Sequence, residues 1–121
     1  MTVEAAWLGL VPYREALRLQ RARREGVIAG WAPDTLWLLE HPRVITTGRR
    51  SAPLDIARLG VLDVVETERG GLATWHGPGQ LVGYLIADVG RLGHGVKSTV
   101  AALEGGLVSW LGGRGVDAGV R

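Results

Sequence analysis

Cysteine is absent from the 121 residues, which excludes a disulfide framework, a thiolate metal site and a cysteine nucleophile within this chain. Lysine is nearly absent as well: Lys97 is the sole lysine, so the basic balance is carried by arginine. The formal net charge of +2 is too small to point to nucleic acid, and no nucleic-acid partner is expected. No apolar run approaches the roughly 20 residues needed to span a bilayer. The opening MTVEAAWLGL lacks a basic segment followed by a hydrophobic one. A cytoplasmic protein without membrane association is therefore expected, and a reducing compartment fits the missing cysteine. The 19 glycines follow no period, so collagen-like and repeat architectures fail. The three histidines show no metal-ligand spacing, and no metal site is expected.

What is present describes a globular chain of one domain or part of one. Apolar residues make up 46% and charged residues 21%, ordinary proportions for a moderate core. PYREALRLQRARREGVIAG reads as a helix opening at Pro12 and capped by Gly30, with Arg21, Arg23 and Arg24 on a solvated face. DTLWLLE (34–40) is almost continuously apolar and suits a strand covered on both sides. RVITTG (43–48) follows after the tight connection EHP. Residues 51–60 read as a loop with a helical turn. Three more strand candidates lie at 61–69, 72–76 and 81–89, with Gly70-Gly71 as a hairpin signal between the first two. From Val96, apolar residues recur every three or four positions through Val100, Leu103, Leu107 and Leu111, which predicts a helix ending at Gly112-Gly113. Gly105-Gly106 inside it suggests close packing on a sheet, and VDAGVR a further strand. This order implies an α/β (α+β) fold: a mixed, largely antiparallel sheet with packed helices.

The chemistry concentrates in RGGLATWHGPGQLVGY (69–84). Arg69 offers a planar fork to a carboxylate, a phosphate or a structural partner. Gly70 and Gly71 let a ligand approach main-chain N–H groups. Strand alternation sends Leu72, Thr74 and His76 to one face, Ala73 and Trp75 to the other. His76 then meets the turn Gly77-Pro78-Gly79, with the Gln80 amide beyond it. The residues alone leave two readings open: a ligand-binding loop, or a structural hairpin whose histidine bonds a backbone carbonyl. His41, before Pro42, and His94, between glycines, read as turn or capping residues.

RGGLATWHGPGQLVGYLI resembles the signature of the lipoyl(octanoyl) transferases. WLGLVPYREAL and LWLLEHPRVITTGRR resemble that family's flanking segments, in the same order along essentially the whole chain. The family is related to the biotin and lipoate protein ligases, so the resemblance implies their catalytic-domain fold. In lipoate ligases the corresponding run reads histidine-aspartate-x-glycine-asparagine. Here Gly77 stands in place of that aspartate and Gln80 in place of the asparagine, which disfavours ATP-dependent activation.

The resemblance implies transfer of an octanoyl group from octanoyl-acyl carrier protein to a lysine of a lipoyl domain, through a cysteine thioester. Acceptors would be the lipoyl domains of 2-oxoacid dehydrogenases and the glycine cleavage H protein. A thioester is already activated, so no cofactor is implied. The family's cysteine and its activating lysine belong to a C-terminal half, and the sequence stops where that half would begin. Residues 1–121 are thus expected to be the N-terminal part of a single catalytic domain, inactive alone and without a catalytic residue. The carried-over substrate-binding residues are Arg69, Gly70, Gly71, Leu72, Ala73, Thr74, Trp75 and His76, with Gly77 and Gln80 extending the motif. The alternatives are an ATP-dependent lipoate ligase and, if the chain truly ends at Arg121, a non-catalytic acyl-binding module.

Overall fold

The computed structural model of the chain describes residues 2–51, 63–93 and 95–121, which divide into two compact units, Thr2–Ile86 and Ala87–Arg121. The first unit begins with β1 (Glu4–Leu10), followed by α1 (Tyr13–Ala29), β2 (Thr35–Glu40) and β3 (Val44–Thr47). The short strands β4 (Val64–Glu66), β5 (Thr74–His76) and β6 (Val82–Ile86) complete it. In the second unit, α2 spans Val96–Gly112. The loop expected at 51–60 lies, apart from Ser51, outside the described residues, as does His94.

The strands form two small mixed sheets, ordered β1-β2-β6 and β4-β3-β5. In each, the central strand has one parallel and one antiparallel neighbour. The composition of β2 explains its central place: Thr35, Trp37 and Leu39 are buried on one side, and Leu36 and Leu38 are half-covered on the other. All four residues of β3 are buried. Both strands are short and, apart from Glu40 at the end of β2, β-branched or apolar, which is the pattern of strands covered on two faces. Val11, Ala16 and Leu39 form the centre of the core, with Leu8, Val82 and Tyr84 packed around them. Helix α1 contributes Ala16 and Val27 to the buried side. Its C-terminus closes at Gly30, in the left-handed conformation, with Trp31 N–H donating to Gly26 O and Gly30 N–H to Val27 O. This double bond pattern satisfies the last carbonyls of the helix. Of the arginines on α1, Arg14 pairs with Asp63, Arg18 with Glu15, and Arg23 lies over the Trp37 ring.

Several sequence expectations need correction. Strand β1 was not anticipated, because Ala5, Ala6 and Gly9 dilute its pattern and a register shift between Trp7 and Gly9 breaks its alternation. Gly70-Gly71 does not close a hairpin between neighbouring strands: β3 sits between β4 and β5, pairing with both. The reason is visible in the connection. Arg49 N–H donates to Arg69 O and Arg50 N–H to Gly71 O, so the segment after β3 takes the hydrogen bonds a hairpin partner would have made. Finally, residues 116–121 form no strand. Instead Val116 N–H returns to Leu111 O and Gly115 N–H to Gly112 O, a cap at the end of α2.

Helix α2 forms as its periodicity predicts, running unbroken through Gly105-Gly106. Close packing does not explain those glycines: among the described residues, nothing lies within 4 Å of a Cβ built at either one. Val96, Val100, Leu103, Leu107 and Trp110 are exposed, and Arg114 stacks over the Trp110 ring at 4.4 Å.

The loop after β3 approaches the glycine loop so closely that a Cβ at Gly48 would lie 2.8 Å from the carbonyl carbon of Gly71. Two backbones in contact cannot yield as a flexible side chain would. Gly48→Ala is therefore expected to destabilise the protein by about 1–3 kcal/mol, the usual cost of overpacking. Urea unfolding measures it, and an unchanged midpoint contradicts the close approach.

Candidate active site

The site is built where the ends of the two sheets meet inside the first unit. Tyr13 opens α1, His41 follows β2, His76 ends β5 and Tyr84 lies on β6. Their rings cluster. Tyr13 lies 5.1 Å from His41 and stacks on His76 at 6.4 Å with an 11° interplanar angle. His41 meets the His76 ring edge-on at 6.0 Å and Tyr84 at 5.9 Å.

His41 is fully buried, at 0% exposure. Its Nδ1 lies 2.7 Å from Val11 O and its Nε2 2.7 Å from the Tyr84 hydroxyl. A carbonyl oxygen only accepts, so Nδ1–H is the donor to Val11 and the bare Nε2 accepts from the Tyr84 O–H. The imidazole is satisfied on both sides, and its burial favours the neutral form. Burial lowers its pKa, opposed by the Val11 bond and reinforced by nearby His76. Burial also raises Tyr13, partly offset by the Arg69 charge. Tyr84 is pushed up to about 12, first by burial and then by Tyr13, against a hydrogen bond with Gln20. Both phenols stay protonated across the physiological range.

The turn after β5 has a definite geometry. Gln80 N–H donates to Gly77 O at 3.1 Å, Pro78 occupies the second position, and Gly79 the third with φ +91°. That combination is a type II turn, which requires positive φ where Gly79 stands. The Glu40 carboxylate, at the end of β2, accepts from Gly79 N–H at 2.5 Å and fastens the turn. Gln80 Oε1 accepts from His76 Nδ1 at 2.5 Å. Gly77 is a glycine for a different reason: a Cβ there would run into the Trp75 indole, 2.5 Å from its Cη2.

Arg69 spends its fork inside the protein. Its guanidinium donates to the carbonyls of Thr46, Gly70 and Leu72 at 2.7, 3.0 and 2.8 Å, and to the Thr46 hydroxyl at 2.8 Å. Of the partners the sequence left open for it, the structural one is present. The clamp leaves Gly70 with nothing within 4 Å of an added Cβ among the described residues, and Gly71 at φ +91°. Leu72, Thr74 and Trp75 are exposed, while Ala73 is half-buried. The result is a rigid loop with open space beside its backbone.

The candidate residues from Arg69 to Gln80 thus stand together, with His76 and Gln80 in direct contact. Sequence reasoning passed over Tyr13, Glu40, His41 and Tyr84. The run Glu-His-Pro between two strands held the available signal, since a histidine fixed at a strand end can serve a neighbouring loop. Among the described residues, no group of acidic and histidine side chains is arranged to hold a metal ion.

Two outcomes follow from the buried imidazole. Tyr84→Phe strips His41 Nε2 of its donor in a closed site and is expected to cost about 1–3 kcal/mol in unfolding experiments. The pH dependence has a defined sign. His41 is lowered in the folded state, whereas the unfolded chain takes the proton near the ordinary value of about 6.5. Below that pH the unfolded state binds more protons, so stability falls as pH drops toward the folded pKa and then levels off. Thermal melts between pH 8 and 5 test this, and His41→Asn should flatten that slope.

An octanoyltransferase of Azotobacter vinelandii is 44% identical over 114 residues, covering 94% of this chain and 52% of the relative. One from Novosphingobium aromaticivorans is 43% identical over 108 residues, covering 89% and 48%. One from Clavibacter sepedonicus is 50% identical over 108 residues, covering 88% and 45%. The chain spans about half the length of the curated relatives it matches. Residues 12–121 match the lipoyl protein ligase A/B catalytic domain, and the chain belongs to that family.

Proposed function

We propose that this chain forms the acyl-binding part of an octanoyltransferase, and that both of its compact units belong to one catalytic domain. The octanoyl group arrives as a thioester on acyl carrier protein and leaves as an amide on a lysine of a lipoyl domain. Such domains occur in 2-oxoacid dehydrogenases and the glycine cleavage H protein. The thioester is activated already, so the reaction needs no ATP. The nucleophilic cysteine and the lysine that ionises it lie outside these 121 residues, which contain no cysteine and, in Lys97, a single lysine near the start of α2. Within the chain, residues Arg69 to Gln80 hold the acyl donor. Arg69 stiffens the loop, Gly70 and Gly71 admit the acyl group to the backbone, Leu72 and Trp75 offer apolar surface, and His76 stands at the rim.

The observation that carries this reading over an ATP-dependent ligase is the packing at Gly77. The ligase pattern places an aspartate there, and here the Trp75 indole occupies the room its side chain would need. A hybrid of residues 1–121 followed by the remaining length of the Azotobacter vinelandii relative provides the test. Transfer from octanoyl-acyl carrier protein to a lipoyl domain without ATP is the expected result. Activity only with free octanoate and ATP overturns it.

Two substitutions in that hybrid probe the site. Gly70 has neither positive φ nor a neighbour within 4 Å of an added Cβ, so Gly70→Val should leave the melting temperature nearly unchanged while suppressing transfer. His76→Ala should lower turnover by about 10²-fold, the scale of a lost acid–base or positioning group. Normal turnover with a lowered melting point would reduce His76 to a turn residue.

A further inference from the structure

We propose that Gln80 is a positioning residue that fixes the His76 ring with Nε2 as a bare acceptor, so that His76 engages the incoming amine and not the thioester carbonyl. The proposal rests on the octanoyl-transfer reading above. Its basis is the 2.5 Å contact between His76 Nδ1 and Gln80 Oε1. An amide oxygen has no proton to give, so Nδ1 carries the hydrogen, and of the two neutral tautomers the contact selects the one with its lone pair at Nε2. This is the less common form of a free histidine side chain, and here a specific partner imposes it.

Gln80 is itself held. Its N–H closes the turn on Gly77 O, and the Glu40 carboxylate grips the preceding Gly79 N–H. Stacking of Tyr13 on the His76 face restrains the ring plane. His41 lies edge-on but has both nitrogens committed to Val11 and Tyr84, so it exchanges no proton with His76.

The chemistry then divides between the two half-reactions. In the second, the lysine amine forms a C–N bond to the acyl carbon, the C–S bond to the cysteine breaks, and the amine's proton passes to the departing sulfur. A bare Nε2 accepts a hydrogen bond from the attacking N–H and aims the nitrogen lone pair at the acyl carbon. It has no hydrogen to offer the carbonyl oxygen. The first half-reaction exchanges one thioester for another by thiolate attack and draws nothing from this bond.

The hybrid enzyme allows both halves to be read separately: release of carrier-protein thiol with octanoyl-acyl carrier protein alone, and single-turnover aminolysis on adding a lipoyl domain. Long-range 1H–15N spectra report the tautomer of His76 directly. Gln80→Leu should convert His76 to the Nε2–H form and slow aminolysis on the order of tenfold or more, the scale of losing an outer hydrogen-bond partner. Acylation, which Gln80 serves only as part of the segment that holds the donor, should be slowed clearly less than aminolysis. Gln80→Glu keeps an acceptor and should restore both the Nδ1–H signature and aminolysis. Three results overturn the proposal: Nε2–H in the unaltered protein, equal slowing of both halves in Gln80→Leu, or unimpaired aminolysis in that variant. A hybrid that forms neither acyl-enzyme nor product refutes octanoyl transfer instead. The spectra then decide the role of Gln80 alone: Nδ1–H that is lost in Gln80→Leu upholds the positioning, and Nε2–H throughout overturns it.

Discussion

A neutral imidazole buried between a backbone carbonyl and a phenol organises the first unit. His41 joins Val11, where β1 passes into α1, to Tyr84 on β6, and it does so from the end of β2. Each of these groups would lose more by being buried unpaired than the pair gains by meeting, so the three elements are held in register by avoided desolvation. The rings of Tyr13 and His76 then pack around it. Because His41 faces the first sheet and the second at once, the two sheet ends come to a common place.

Around that anchor the glycine loop is held from two directions. Arg69 ties its beginning to Thr46 on β3, and Glu40 ties its final turn to β2. Two charged side chains donate or accept against main-chain groups, which are charge-assisted bonds of the stronger kind. The glycines between them serve different needs. Gly79 supplies the positive φ of a type II turn, Gly77 makes room for Trp75, and Gly48 permits the neighbouring loop to touch Gly71. At Gly70, with neither positive φ nor a neighbour within 4 Å of an added Cβ, the missing side chain simply leaves open space. A glycine-rich run is therefore one signal with several causes, and the causes separate only when the neighbours are known.

The chain belongs to the lipoyl protein ligase A/B catalytic domain and covers about half the length of the octanoyltransferases it resembles. The part present here is a restrained loop beside two imidazoles, His41 and His76, each oriented by hydrogen bonds. It holds no thiol.

Much of the local structure was legible in the residues. The apolar continuity of 35–40, the periodicity from Val96 to Leu111 and the Pro12 and Gly30 boundaries led to β2, α2 and α1, since each depends on nearby positions alone. The motif from Arg69 to Gln80 was also legible, because its residue types are few and closely spaced. Pairing was not. Gly70-Gly71 promised a hairpin, but β3 lies between β4 and β5 because Arg49 and Arg50 reach the loop's carbonyls from far along the chain. Strand β1 was hidden by alanine and glycine. His41 read as a turn residue, because burial and the Val11 and Tyr84 partners arise from segments 30 and 43 positions away. The sequence by itself determined α1, β2 and α2, whose signals lie in neighbouring residues, and the run from Arg69 to Gln80 that carries the family resemblance. Only the tertiary structure decided which nitrogen of His41 and of His76 carries the proton, because that depends on the group each ring meets.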